Sequence, residues 1–467
     1  MVRETRWAAV AAVLTASALA ATALGGELAE GGRPAVADPS RHHGGHPTVG
    51  RGQKALLVQD GLRATASLML HRPVLASSMA LVRLGERMAV TAARAFPPGM
   101  GPLFHQSPEA GGPCTPARIT PLYDSASAYE ALISLIASAQ GRIDLMIFGW
   151  DDDEAGRSVA DALIARARAG VLVRLIVDRG GYVIGVGNLR VTRGIPTYLD
   201  RLRAEPNVHV IETPDPFFRY DHRKVAVIDD RVVWSGGMIL TRASLRDWHN
   251  FAFLAEGPIV PQYAELFASS WRSQGGCAAP SRPEAFAAGG AGAPNAEVRM
   301  VRTDLGERSL KEAVYGAVDA AKHHIYLENP YFSDPILVKK LVAARGRGVD
   351  VRAVLTVRGD VRVMNKYSAM TANRLLKAGA RVYLYPGMTH VKAMSVDGAL
   401  AYIGSGNFDD LSMRNNREVA LTVRGPEIVR EIDENLFLRD MAASESLLAP
   451  LPSPPDRLFL EATILWY

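Results

Sequence analysis

Residues 222–236 read HRKVAVIDDRVVWSG, and residues 390–404 read HVKAMSVDGALAYIG. Each stretch opens on His-x-Lys, carries an Asp five residues after the Lys and closes on Gly. The first supplies His222, Lys224, Asp229 and Gly236; the second supplies His390, Lys392, Asp397 and Gly404. The offset is constant (390 − 222 = 397 − 229 = 404 − 236 = 168), and it persists to Gly257-Pro258 and Gly425-Pro426 (425 − 257 = 168). A single His-x-Lys is an ordinary solvated strand end. Two copies in register over about 36 residues are an internal duplication, and that decides the fold.

Working outward, the runs VAVID and RVVWSG frame a hairpin over Asp229-Asp230, and the second copy turns at Asp397-Gly398, a favoured hairpin pair. Upstream of each copy the chain alternates helix and strand. SAYEALISLIASAQ, GRSVADALIARARAG and a segment near 197–204 read as helices, and RIDLMIFGW, VLVRLIVD and VHVIET as strands. After a Gly/Ala/Pro stretch at 275–295 the grammar repeats: helix SLKEAVYGAVDAAK, strand HIYLENPYF, helix ILVKKLVAARGRG, strand VDVRAVLT, helix MTANRLLKAG and strand RVYLYP. This predicts an α/β protein of two duplicated lobes, each a mixed sheet flanked by helices. A pseudo-two-fold axis would bring both motifs into one shared active site.

The expected organisation places a signal peptide or membrane anchor at 1–37. Arg3 and Arg6 precede an apolar Ala-rich run to Leu24, and Ala35-Val36-Ala37 offers a cleavage site. Residues 38–117 read as linker and amphipathic helices (54–95), with a Pro-rich connection running on to Pro121. Lobe 1 spans 118–275, a linker 276–296, lobe 2 297–445 and a tail 446–467. The net charge of +5 suits an anionic partner without demanding one. Mean hydropathy of +0.03 marks a largely globular chain. Cys114 and Cys277 bracket lobe 1, so a disulfide closing it and two free thiols are both open.

Strand alternation puts His222 and Lys224 on one face, and likewise His390 and Lys392. Asp229 and Asp397 fall at the turns, on the other face. Two imidazoles and two ammonium groups suit a phosphodiester: lysines neutralise non-bridging oxygens, one His attacks phosphorus and the other protonates the leaving oxygen. Ser405 and Asn407 could hold the phosphate or the Lys. The register offers Glu418 as partner of His390 and Asn250 (418 − 250 = 168) as partner of His222, with Asp247 a nearby carboxylate. Lysine beside each His repels a cation, so neither metal nor other cofactor is expected.

These residues resemble the phospholipase D superfamily, whose signature is H-x-K-x4-D followed by a G-S-x-N-like segment. The resemblance covers roughly 120–442 and is nearest to bacterial cardiolipin synthases, through ENPYF, RGRGVDVRAVL, WHNFAFLAEGP and GSGNFDDLSMRNNREVAL. It implies a metal-free ping-pong reaction on glycerophospholipids through a phosphohistidine, with His222 as nucleophile and His390 as acid and base. The expected partners are phospholipid, a membrane surface and water or a primary alcohol as acceptor, in an exported or inner-membrane-anchored bacterial protein active as a monomer. No nucleic acid is expected, although a nuclease of the same superfamily and a weakly active lipid-binding relative are the alternatives. The chain departs from the pattern at Gly237 (usually Ser), Ile239 (usually Asn) and Asn250 (usually a carboxylate).

Overall fold

Seventeen strands are defined in the computed structural model, which describes residues 111–183, 197–213, 219–276 and 292–453. The N-terminal apolar run, the 54–95 stretch, Cys277, most of the 180–196 loop, Phe217-Phe218 and the tail from 454 lie outside those residues. Lobe 1 supplies β1 (Thr115–Leu122), β2 (Arg142–Ile147), β3 (Leu172–Val177), β4 (Val208–Glu212), β5 (Lys224–Ile228), β6 (Val232–Gly236), β7 (Trp248–His249) and β8 (Ala252–Glu256). Lobe 2 supplies β9 (Ala296–Thr303), β10 (His324–Asn329), β11 (Asp350–Leu355), β12 (Arg381–Leu384), β13 (Met388–Thr389), β14 (Ala393–Val396), β15 (Leu400–Gly404), β16 (Glu418–Arg424) and β17 (Glu445–Ser446).

Fifteen of these form one continuous sheet in the order β17-β12-β11-β10-β14-β15-β16-β9-β1-β8-β6-β5-β2-β3-β4. The halves join at the antiparallel β1–β9 pair, and reading outward from it gives the same sequence of connections on each side, with β17 an extra edge strand in lobe 2. In each lobe three strands run parallel (β2-β3-β4 and β10-β11-β12) and the motif hairpin is antiparallel. This is the duplicated mixed-sheet architecture that the sequence predicts.

Both motif hairpins turn through left-handed backbone: Asp229 and Asp230 have φ of 53° and 54°, Asp397 and Gly398 of 56° and 62°. Such turns match the twist of the flanking strands and select Asp, Asn and Gly. Helices Glu154–Arg168 and Pro335–Gly346 are fixed at their starts by Asp153 and Asp334, whose carboxylates accept from Gly156 N and Leu337 N. One hydrophobic core crosses the lobe boundary, joining Phe253, Phe267 and Trp271 of lobe 1 to Leu421, Ile432 and Phe437 of lobe 2. Separate cores lie beneath the remaining helices of each lobe.

The Pro-rich stretch ending at Pro121 differs from its reading as linker, because residues 115–122 form strand β1 at the centre of the sheet. Thr115–Ala117 pair only with β9, and Arg118–Leu122 pair only with β8. Each half of the strand therefore has one unpaired side, which is where a proline without an N–H is tolerated. Among the described residues no helix is long and apolar enough to cross a membrane.

Candidate active site

The two motifs meet where the lobes face each other. Two short parallel contacts cross the pseudo-axis: Asp221 bridges Arg417, and β13 pairs with β7 through Thr389 and His249. These contacts are equivalent (389 − 221 = 417 − 249 = 168). They carry the backbones of both histidines, since His222 N donates to Arg417 O at 2.9 Å and His390 N donates to His249 O at 2.6 Å. The residues following Arg417 and His249 are Glu418 and Asn250, so each is delivered to the histidine of the opposite lobe.

The side-chain pairing is therefore crossed relative to the sequence expectation. His222 Nδ1 lies 2.9 and 3.1 Å from the two carboxylate oxygens of Glu418, and His390 Nδ1 lies 3.1 Å from Asn250 Oδ1. Glu418 and Asn250 are each held in turn. Ser405 Oγ and Ser412 Oγ both donate to Glu418 at 2.6 Å. Asn250 Nδ2 donates to Ser244 O at 2.8 Å, Ser125 Oγ at 3.0 Å and Ser244 Oγ at 3.1 Å. Ser412 and Ser244 keep the 168 offset (412 − 244 = 168) and were legible as repeat positions, although the sequence reading passed over them. They sit in short helices whose N-caps, Asp409 and Thr241, are also equivalent (409 − 241 = 168).

Lys224 and Lys392 are fully buried, and each donates to the carbonyl of the histidine two residues before it, at 2.5 and 2.8 Å. The Lys224 ammonium also stands 4.9 Å above the Phe148 ring. Burial lowers both lysines. Lys224 falls to about 7 despite Glu418, and Lys392 falls well below its ordinary value with Lys224 adding to the effect. Burial also pushes His222 down to about 4, against the pull of Glu418, and burial, Lys392, Lys224 and His222 hold His390 well below its ordinary value against a backbone hydrogen bond with Gly237. Glu418 is driven upward by burial, yet His222 and Lys224 outweigh this and keep it below the usual glutamate value. Half-buried aromatic rings stand beside the histidines: Phe148 lies 4.8 Å from His222, and Trp248 and Tyr331 lie 5.0 and 6.4 Å from His390.

Several sequence-predicted residues stand elsewhere. Asp229 accepts from the backbone N–H groups of Gln140, Gly141 and Arg142 at 2.7–2.8 Å, and Asp397 accepts from Lys322, His323 and His324. Both occupy the turn end of the strand, about 16 Å from the lysines at 3.3 Å per residue. Grouped with the catalytic residues by their motif, they act in this structure as ties between hairpin and neighbouring strand. Asp247 is exposed and paired with Arg242 at 3.6 Å, so it supplies no carboxylate to either histidine. Gly236 and Gly237 let strands approach closely: a Cβ on Gly237 would lie 2.7 Å from His390 O and 3.2 Å from Lys392 Cδ. Ile239 packs on Gly149, while Asn407, its counterpart, is buried with Oδ1 lacking a hydrogen-bond partner.

Comparison with known proteins agrees with this architecture. Residues 132–271 and 315–440 match the family described as cardiolipin synthase, PLD-like domain. The chain is 27% identical over 348 residues to cardiolipin synthase A of Pseudomonas fluorescens, covering 70% of this chain and 69% of that protein. It is 27% identical over 339 residues to cardiolipin synthase A of Klebsiella pneumoniae, covering 69% and 67%. Its fold is similar to the solved phosphatidylserine synthase of Haemophilus influenzae, with a TM-score of 0.55 at 16% identity over 72% of this chain and 89% of that one. The paired lobes, the crossed histidine partners and the family match over both halves place this chain in the phospholipase D superfamily, among the cardiolipin synthase-like proteins.

Proposed function

We propose that this protein is a phospholipase D-type phosphatidyltransferase, moving the phosphatidyl group of a glycerophospholipid to water or a primary alcohol through a phosphohistidine. The observation that carries this reading is the pair of buried histidines from the two lobes, each with Nδ1 held by a side chain so that Nε2 is the reacting nitrogen, alongside two buried lysines. Lys224 and Lys392 neutralise the non-bridging oxygens. His222 Nε2 attacks phosphorus, the bond from phosphorus to the headgroup oxygen breaks, and His390 gives that oxygen a proton. His390 then takes the proton of the acceptor hydroxyl, whose oxygen displaces His222. Glu418 supports His222 as nucleophile, because the phosphorylated ring is cationic and a carboxylate on Nδ1 stabilises it.

One chain supplies both half-sites, which supports activity as a monomer. The half-buried rings of Phe148, Trp248 and Tyr331 offer apolar surface to a lipid at the mouth of the site. The same reading puts the protein at a bacterial membrane surface, exported or anchored through its N-terminal segment, with Asp229 and Asp397 as structural motif residues. Purified protein given phosphatidylglycerol vesicles, with and without added primary alcohol, should release the headgroup or form the transphosphatidylated product. Cleavage of plasmid with no change in lipid would overturn the assignment in favour of a nuclease.

A further inference from the structure

The duplication supplies an internal control for the two histidines. Glu418 and Asn250 occupy equivalent positions, yet one is a carboxylate and the other an amide. The Asn250 orientation is fixed by chemistry: Ser244 O can only accept, so the nitrogen must face it, and Oδ1 must face His390. Oδ1 accepts, so His390 carries a proton on Nδ1. An amide dipole stabilises a neutral ring that donates, whereas the positive ring at His222 would meet a full negative charge.

The surroundings of His390 supply no substitute carboxylate: the Gly237 backbone favours a positive ring, but it ranks behind burial and the three neighbouring basic groups, and it carries no charge. Lys392 on its own strand, Lys224 from β5 and His222 all face it, and each opposes a positive ring. Glu418 on β16 is committed to His222, Ser405 and Ser412. Asp360 is bonded to the Tyr331 hydroxyl. Behind the ring, Asp440 meets His249 Nε2 at 2.7 Å and Arg439 Nε at 2.9 Å, and Glu328 accepts from Thr389.

We propose that His390 is neutral in the free enzyme, with its proton held on Nδ1 by Asn250, and takes up a second proton on Nε2 from solvent when an anionic phosphodiester enters between Lys224 and Lys392. The inference rests on the phosphodiester-transfer reading above. The incoming negative charge is the counterion that Asn250 does not provide. As the bond from His222 Nε2 to phosphorus forms, the Nε2 proton of His390 passes to the departing oxygen. The ring returns to neutral, ready to accept the proton of the acceptor hydroxyl. Substrate binding and arming of the general acid are thus one event, and Asn250 is the positioning residue that couples them. Burial and the two lysines, which hold His390 well below its ordinary value, agree with a neutral resting state.

The test is calorimetric titration with tungstate, a tetrahedral dianion that does not itself titrate near neutral pH, in buffers of differing protonation enthalpy. Wild type should take up about one proton more than Asn250→Asp, whose carboxylate already holds the second proton on His390 before the anion arrives. Nitrogen-15 histidine spectra of both proteins assign the difference to His390, since a carboxylate at 250 also raises the neighbouring lysines. The same substitution should move the alkaline limb of the kcat/KM profile upward, since that limb reports loss of the acid. Equal uptake in the two proteins overturns the proposal. Should the variant fail to fold, nitrogen-15 histidine spectra of wild type decide, with His390 assigned by comparison with His390→Gln. An imidazolium at His390 already present without tungstate refutes the proposal, and one that appears only with it supports it. Absence of any tungstate binding instead removes the anion cradle, and so the functional reading itself.

Discussion

Replacing Lys224 with Met should abolish turnover and yet make the protein more stable. The ammonium is fully buried, and its folded-state value is about 7 against an ordinary 10.5. The difference, 10.5 − 7 = 3.5 pH units, corresponds to about 5 kcal/mol at about 1.4 kcal/mol per unit. That is the cost of keeping the charged form inside the folded protein. The sign follows from linkage. The folded value is depressed, so the penalty is complete below about pH 7, shrinks as pH rises, and vanishes above about 10.5, where both states are neutral. Met fills similar space without charge but leaves the His222 carbonyl without its 2.5 Å hydrogen bond, a loss of about 1 kcal/mol. The net expectation at neutral pH is about 3–4 kcal/mol of added stability, declining toward zero or slightly below by pH 10. Urea unfolding of both proteins at neutral pH and near pH 9 measures it. A Lys224→Met protein less stable than wild type at neutral pH, or a difference that does not shrink as pH rises, would refute the reasoning. Such a result would mean that the lysine is held for stability and not for its charge.

Three further outcomes are expected. Glu418→Gln keeps the hydrogen-bonding shape but removes the charge behind His222, so kcat should fall by about 10²–10⁴ with an unchanged circular dichroism spectrum, read by headgroup release. Asp229→Ala strips three backbone N–H groups of their acceptor and should cost about 2–4 kcal/mol in denaturant unfolding. Gly237→Ser restores the residue found at the equivalent position 405, yet its Cβ would press on His390 O, so it should destabilise by about 1–3 kcal/mol and lower activity together, seen in parallel melting and turnover assays.

The Gly237 case shows why family expectation alone misjudges this site. Ser405 is needed because it donates to a carboxylate, Glu418, on the neighbouring strand of its own lobe. The corresponding acceptor in the other half is an amide whose nitrogen already bonds Ser125 and Ser244, so no hydroxyl is required at 237 and the space has closed. The departures at Gly237 and Asn250 thus fall in the same half-site. The Ser125 contact is invisible in the linear chain, because Ser125 lies more than a hundred residues before Asn250 and in an unrelated helix.

What the sequence determined by itself was the repeat, and with it a great deal. A constant offset identified two copies of one structural unit, alternation put each His beside its Lys, and the Asp-Asp and Asp-Gly pairs marked left-handed hairpin turns. All of these are properties of a single strand or turn, governed by local backbone geometry. The tertiary structure decided who partners whom. The sequence reading gave each histidine a partner from its own copy, but the parallel contacts of Asp221 with Arg417 and Thr389 with His249 run across the pseudo-axis and exchange them. The same geometry turned a Pro-rich stretch into a central strand, by pairing each half of β1 on one side only. It also left Asp247 in solvent, three residues from a buried Asn250. A two-fold arrangement brings together residues far apart in the chain, and only the way the two lobes pack fixes which of them touch.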